Sequence, residues 1–333
     1  MGDTARDRLR QTFLSTTDFS GAVQHALPGD ASFRHYIRLN QDGRRAMLMD
    51  APPTHEDVRP FAQMARHLMS LGFSAPDILA EDDVNGFLVL EDFGDDTFTN
   101  LLAKGASEGE LYTLATDVLA ALHDLDSVPP WLPPYDDERL LAETALLPDW
   151  FMEAHGLTLT TDARVAYDRA WLDLFAQVHT GDRALVLRDY HVDNLMRLDG
   201  REGTRACGLL DFQDALAGHP AYDLMSLLED ARRDVPHRLQ AAMKARYHAA
   251  RGTKNLKSFE AAYAILAAGR HAKVIGVFTR LDRRDGKPGY LKHIARLWRL
   301  LDHNLEHPAL ASIKAWMDAH IPADKRCAAE PGS

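Results

Sequence analysis

Near Gly94 the apolar residues of this chain stop recurring in short, strand-like runs and begin to recur at helical spacing. Upstream, Ser32-Phe33-Arg34-His35-Tyr36-Ile37-Arg38-Leu39 alternates, Asn40 to Gly43 supplies turn chemistry and Ala46-Met47-Leu48-Met49 runs apolar. This predicts a β-hairpin over residues 31–50, which Ala51-Pro52-Pro53 then stops. Residues 7–15 read as a helix. Pro60 opens a second, amphipathic one with Phe61, Met64, Ala65, Leu68 and Leu71 on one face and Gly72 at its end. Short strands around 77–80 and 87–90 bracket an Asp82-Asp83-Val84-Asn85-Gly86 turn. Downstream, helical patterns cover about 108–124, 137–154, 162–179 and most of 221–321, while the Pro-rich residues 128–134 form a rigid connector. Two apolar runs, 184–187 and 206–210, interrupt the helices as strands. The expected fold is α+β: a small β-rich part over 1–93, a mostly helical part over 94–322, and a disordered polar tail over 323–333.

Charge and cysteine usage narrow the function. A formal net charge of −11 opposes a nucleic-acid partner, whose binding rests on Lys and Arg facing phosphates. Cys207 and Cys327, far apart, have neither disulfide-scaffold nor zinc spacing. No apolar run reaches the roughly 18 residues of a membrane span. The first residues, Met1 to Arg6, lead into a charged segment without an apolar signal core or the Ser or Thr that a myristoylation signal wants at position 6. A soluble, cytoplasmic protein with a small-molecule substrate and no nucleic-acid or membrane partner is expected.

The chemistry sits in the segment Leu185-Val186-Leu187-Arg188-Asp189-Tyr190-His191-Val192-Asp193-Asn194. An apolar strand runs into a loop that carries Asp189 and, five residues on, Asn194. A second apolar strand, Cys207-Gly208-Leu209-Leu210, runs into Asp211-Phe212-Gln213-Asp214. Phosphoryl transfer needs a carboxylate to take the proton of the attacking hydroxyl, and hard oxygen ligands to hold Mg²⁺ against the phosphates of ATP. Asp-x₄-Asn followed by an Asp at the end of a later strand is the protein-kinase pattern. Asp189 is the candidate base, and Asn194 and Asp211 are the candidate metal ligands. Taken singly, these residues would be turn formers and a helix cap. Two strand–loop units in the right order favour the chemical reading.

These residues resemble the aminoglycoside-phosphotransferase and choline-kinase superfamily over about residues 10–320. The resemblance implies a protein-kinase-like bilobal fold, a small-molecule kinase activity, and ATP with Mg²⁺ as cofactors. The usual family loop, His-Gly-Asp-x₄-Asn, reads Leu187-Arg188-Asp189 at its start here, and Asp211-Phe212-Gln213 replaces Asp-Phe-Gly. In Gly218-His219-Pro220-Ala221-Tyr222-Asp223-Leu224, the resemblance makes Asp223 a structural residue holding loop amides. The first lobe departs further. Met stands on the third strand where a Lys is expected, and the helix after it has Gln63 but no Glu. Arg34, in the turn that also holds Ser32, is a candidate for the phosphates because its guanidinium fork suits them; otherwise it is an exposed strand residue. Glu91-Asp92-Phe93 matches the hinge where adenine meets main-chain groups.

Within the superfamily, residues 30–34, 49–53 and 211–215 look most like the anomeric kinases of peptidoglycan recycling, which phosphorylate N-acetylmuramate and N-acetylglucosamine at C1. That resemblance implies an N-acetylated amino sugar as substrate. Asp193 and Asp214 flank the chemical loop and are candidates for binding sugar hydroxyls or polarising the metal shell. Arg270, Lys273, Val277 and Arg280 fall on one helical face that would suit a lactyl carboxylate or a product phosphate, although charge runs of this kind ordinarily face water. His219 is expected to fix a turn, and Trp131, Trp150 and Trp171, which could stack on a sugar, are expected in the core. Two alternatives stand. One is a kinase of another small alcohol: an aminoglycoside, which would call for acids around the site, a choline-like amine, or homoserine. The other is a nucleotide-binding pseudokinase, motivated by the missing Lys.

Overall fold

The computed structural model describes residues 5–28, 33–124 and 128–329; Ser32 and the end of the expected tail, 330–333, lie outside them. The chain divides into two units. The first comprises residues up to Val118 together with Val192–Asp214, and the second comprises Leu119–His191 and the residues from Ala215 on.

In the first unit, helix α1 (Ala5–Ser15) precedes an antiparallel sheet of order β1-β2-β3-β5-β4. Its strands are β1 (Val23–Ala26), β2 (His35–Gln41), β3 (Arg44–Asp50), β4 (Ile78–Asp82) and β5 (Phe87–Glu91). β2 and β3 form the expected hairpin, with Gln41 opposite Arg44. Asp42 and Gly43 both have positive φ, 51° and 77°, the requirement of a two-residue hairpin turn that follows the sheet's twist. Ile37 and Leu39 of β2, Ala46 and Leu48 of β3, and Phe87 and Val89 of β5 share a core with Phe13 and Leu14 of α1. β5 lies between two strands and four of its five residues are buried, so it reads as a continuous apolar run rather than an alternation. Helix α2 (Arg59–Ser70) buries Phe61, Met64, Ala65 and Leu68, and Phe61 stacks on Phe212 at 4.8 Å. Helix α3 (Phe98–Ala103) is capped by the Thr97 side chain, and α4 (Glu108–His123) follows.

The second unit is helical: α5 (Asp137–Thr144), α6 (Thr161–Val178), α7 (Ala221–Leu228), α8 (His237–Arg251), α9 (Leu256–Arg283), α10 (Ile294–Leu305) and α11 (Ala311–His320). The expected helix over 137–154 is broken after Thr144. Pro148, which has no amide to donate, lies in a π-helical segment, Leu147–Met152. The 28 residues of α9, about 42 Å long at 1.5 Å per residue, pack against α5, α6, α7 and α10. Its middle is consequently buried all round, charged residues included.

Four short strands complete the fold. β6 (Ala184–Val186) pairs with β9 (Leu216–Gly218) in the second unit. β7 (Leu195–Arg197) pairs with β8 (Cys207–Leu209) in the first. β6 and β8 are the two strands that lead into Asp189 and Asp211; β1, β7 and β9, at three or four residues each, carry too little pattern to be read from sequence. No helix among the described residues is long and apolar enough to cross a membrane.

Candidate active site

The candidate residues fall into two sets, one in each unit. In the second unit, β6 delivers the chain into a three-residue turn in which the Asp189 amide donates to the Leu187 carbonyl at 2.9 Å. Arg188 at its centre has φ +69°, a left-handed conformation that glycine adopts freely and other residues rarely. The family loop has glycine here, and the dihedral gives the reason. The turn is held from below by Asp223, fully buried in α7, whose carboxylate accepts from the amides of Leu187 at 2.7 Å and Arg188 at 2.9 Å. His123 adds its Nε2 at 3.5 Å from Asp223, and its Nδ1 meets the Tyr247 hydroxyl at 2.8 Å.

The Arg188 side chain turns back to Glu143 in the last turn of α5. Glu143 also accepts from Lys273 Nζ at 2.9 Å and from the Tyr135 hydroxyl. A carboxylate in a helix's last turn opposes the macrodipole, so its cationic partners must offset both that and burial. Burial alone would raise the Glu143 pKa, but Lys273 and Arg188 more than reverse this and it ends below its ordinary value. Lys273 moves the other way: burial disfavours its charge, Tyr222 and Glu143 restore it, and its pKa ends raised. Burial likewise opposes the charge of Asp189. Lys273, Arg270 and Arg188 outweigh it, so the Asp189 carboxyl lies below the usual range and is ionised at neutral pH. His191 is buried, which lowers its pKa, and its Nε2 faces Arg232 Nη1 at 3.3 Å. An arginine can only donate, so that nitrogen is the acceptor of a neutral imidazole.

Arg270 and Lys273 correct the expectation of a solvated helix face. Arg270 is 5% exposed and Lys273 is paired with Glu143, because α9 is enclosed by other helices along this stretch. His219 is buried and its Nδ1 accepts from the Ala221 amide at 3.2 Å, fixing the expected turn. Trp171 is core and Trp150 partly buried, whereas Trp131, in the Pro-rich connector, is 40% exposed and corrects the expectation of a core residue.

In the first unit, β8 ends in Asp211, which has φ +57°. Its Oδ2 is 3.4 Å from Asn194 Nδ2, while its Oδ1 accepts from Gln213 Nε2 at 3.0 Å and Arg34 Nη2 at 3.3 Å. The Asp211 side chain is 40% exposed and the Asn194 Nδ2 lies beside it, so the Asp211 carboxylate is an accessible hard donor and Asn194 would add its amide oxygen with the amide turned over. This suits Mg²⁺, which is held by one or two carboxylates plus substrate phosphates rather than by an all-protein cage. Arg34 lies just ahead of β2 and is only 12% exposed, not the exposed strand residue of the plainer reading. Asp193 accepts from Thr99 at the start of α3, and Asp214 accepts from Gln213 at 3.3 Å. The Glu91 side chain is tied to Arg201. The Phe93 ring packs on Gly208, where any Cβ would meet it at 2.8 Å. Asn194, Asp211 and Arg34 are thus brought together in this unit, with Asp193 and Glu91 engaged elsewhere.

Glu143, Tyr135, His123 and Glu56, whose Oε1 is 3.9 Å from Arg34 Nε, were not singled out from sequence. Glu143 had one signal, an acid within the apolar run Leu140-Leu141-Ala142-Glu143-Thr144-Ala145-Leu146-Leu147.

Comparison with known proteins identifies the relatives of this chain. Residues 23–259 match the model of the phosphotransferase enzyme family. An N-acetylmuramate/N-acetylglucosamine kinase of Caulobacter vibrioides is 35% identical, covering 96% of this chain and 98% of its own. A kinase of the same name from Pseudomonas aeruginosa is 38% identical, covering 85% of this chain and 84% of its own. Among solved structures, a choline kinase of Streptococcus pneumoniae superposes with a TM-score of 0.63 at 11% identity, covering 93% of this chain and all of the other. An aminoglycoside 2'-phosphotransferase superposes with a TM-score of 0.62 at 16% identity, covering 89% of this chain and 99% of the other. At those identities the likeness is one of fold, a protein-kinase-like one. The family match and the near full-length relatives agree: this chain is a small-molecule kinase and belongs to the phosphotransferase enzyme family.

Proposed function

We propose that this kinase transfers the γ-phosphoryl group of ATP to the anomeric hydroxyl of N-acetylmuramate, N-acetylglucosamine or both. The observation that carries the reading is the setting of Asp189, a carboxylate on the turn held by Asp223, with Arg188 and Lys273 bridged by Glu143 and with Arg270 buried in the same helix as Lys273. A polycationic aminoglycoside or a choline-like amine would find no surplus of carboxylates here, since Asp189 and Glu143 stand beside three cations. An N-acetyl sugar is neutral, and N-acetylmuramate adds a carboxylate that such surroundings favour. The names of the near full-length relatives point the same way.

In this reading Asp189 orients the anomeric hydroxyl and accepts its proton as the sugar oxygen bonds to the γ-phosphorus and the bond to the bridging oxygen of ADP breaks. An anomeric hydroxyl is more acidic than an ordinary alcohol, so a base of low pKa suffices when positioning is good. Asn194 and Asp211 would hold Mg²⁺, which when bound neutralises charge developing on the phosphates. Arg34 is the proposed contact for the phosphates, and main-chain groups of residues 91–93 the proposed contact for adenine. Asp193 and Asp214 are the proposed contacts for sugar hydroxyls. The 1–93 and 94–322 lobes remain our proposal for the functional division.

The test is ADP release with Mg²⁺ and N-acetylmuramate, N-acetylglucosamine, kanamycin, choline or homoserine, run beside Asp189→Ala. Turnover with an N-acetyl sugar, lost in the variant, is expected, with phosphorus NMR placing the phosphate on C1. Kanamycin or choline as the preferred acceptor would sink the substrate reading. Wild-type turnover no faster than Asp189→Ala on every acceptor would make the protein a pseudokinase.

A further inference from the structure

The third strand offers no cation where the resemblance expects its Lys. Met47 and Met49 occupy the middle of β3, and the cations at its start, Arg44 and Arg45, are exposed and face Asp18 and Asp92. Helix α2 begins at Arg59 and contains no Glu. A cation and a carboxylate nevertheless meet at Asp211 from elsewhere in the same unit. Arg34 points one edge of its guanidinium, Nη2, at Asp211 Oδ1, 3.3 Å away; the other edge, Nε, faces Glu56 Oε1 at 3.9 Å. The adjoining residues form a second contact between the same two segments, the Phe33 ring lying on the His55 ring at 4.5 Å with 13° between the planes. The amides of His55 and Glu56 donate to the Pro52 carbonyl at 2.9 and 3.0 Å, which fixes the backbone that carries Glu56. A guanidinium steered at Nε by a carboxylate keeps its Nη edge for a second anion, and this fork matches phosphate as well as carboxylate.

We propose that Arg34 and Glu56 are the phosphate-orienting ion pair of this kinase, replacing the absent strand Lys and helix Glu, with Glu56 the positioning residue that acts through Arg34. The pair sits on the segment before β2 and the turn before α2, one step earlier in the chain on both sides than the pair it replaces. Asp211 would present its oxygens to the metal, and Arg34, turned about the Glu56 contact, would face the phosphates. Coincident loss of Lys and Glu is then a relocation of the pair, not decay.

The inference rests on the reading of the chain as an ATP-dependent kinase, and the test separates the two. Calorimetric affinities for Mg-ATP and for adenosine are measured on the wild type, Arg34→Ala, Glu56→Gln, Glu56→Asp and the Arg34→Ala/Glu56→Gln double variant. Arg34→Ala is expected to weaken Mg-ATP about 50-fold and Glu56→Gln about 5-fold, the scale of charge-assisted contacts to phosphate. Adenosine affinity stays unchanged, Glu56→Asp recovers part of the loss, and Glu56→Gln adds nothing in the Arg34→Ala background. Independent, multiplicative losses would overturn the pair, as would equal weakening of adenosine and Mg-ATP in both Glu56 variants. A wild type that binds Mg-ATP while the cycle fails discards only the pair; one that binds no nucleotide discards the kinase reading with it.

Discussion

Replacing Glu143 with glutamine keeps the shape of the side chain and removes the charge that Arg188 and Lys273 share. Glu143, Arg188 and Lys273 are only 15%, 19% and 17% exposed in their side chains, so solvent screening of the cluster is weak. Breaking a buried ion pair by removing one partner costs about 3–5 kcal/mol, because the surviving charge stays desolvated. The glutamine oxygen still accepts one hydrogen bond, which places the expected loss near the lower end, about 3 kcal/mol. The pH dependence separates this from a packing defect. The folded-state pKa of Glu143 is below its ordinary value, so its contribution is complete above that ordinary value and fades as pH falls through the folded one. The raised pKa of Lys273 means its share is complete below the ordinary Lys value and fades as pH rises through the folded one. Urea unfolding followed by circular dichroism at pH 4 and pH 7 reads the Glu143 effect, the Lys273 share being complete at both values. A difference between wild type and Glu143→Gln of about 3 kcal/mol at pH 7 that narrows at pH 4 is expected. A difference below about 1 kcal/mol, equal at both pH values, would refute the reasoning.

Other outcomes follow from the same geometry. Arg188→Gly relieves a positive φ worth about 1 kcal/mol but leaves Glu143 with fewer cations, so it should destabilise the fold although the family has glycine there; a more stable variant in the same urea assay would contradict this. Asp223→Ala strips two amides of their acceptor, and a loss of about 3 kcal/mol with a fall in kcat at unchanged ATP affinity is expected. Asp211→Asn should leave adenosine binding intact while Mg²⁺ ceases to strengthen ATP binding, as read by calorimetry. Burial lowers the His219 pKa from 6.5 to about 4, so stability is full above pH 6.5 and falls by about 3 kcal/mol towards pH 4; His219→Asn should flatten that slope in unfolding midpoints.

What the sequence determined by itself was whatever a local pattern can carry. Alternation and turn chemistry placed the hairpin of β2 and β3, helical spacing placed α2 and α6, and two apolar runs ending in acids marked Asp189 and Asp211 in their order. The spacing from Asp189 to Asn194, and the segment around Asp223, were legible because a strand–loop unit is specified within a few residues. The tertiary structure alone decided which charges meet. Lys273 and Glu143 are 130 residues apart in the chain, and Arg34 and Asp211 are 177 apart, so no window of sequence contains either pair. The same holds for the face of α9. A basic stripe on a helix faces water unless other helices enclose it, and the enclosure of Arg270 and Lys273 comes from α5, α6, α7 and α10. Burial is a property of what surrounds a residue, and in this kinase it turns an ordinary run of charges into the electrostatic setting of Asp189.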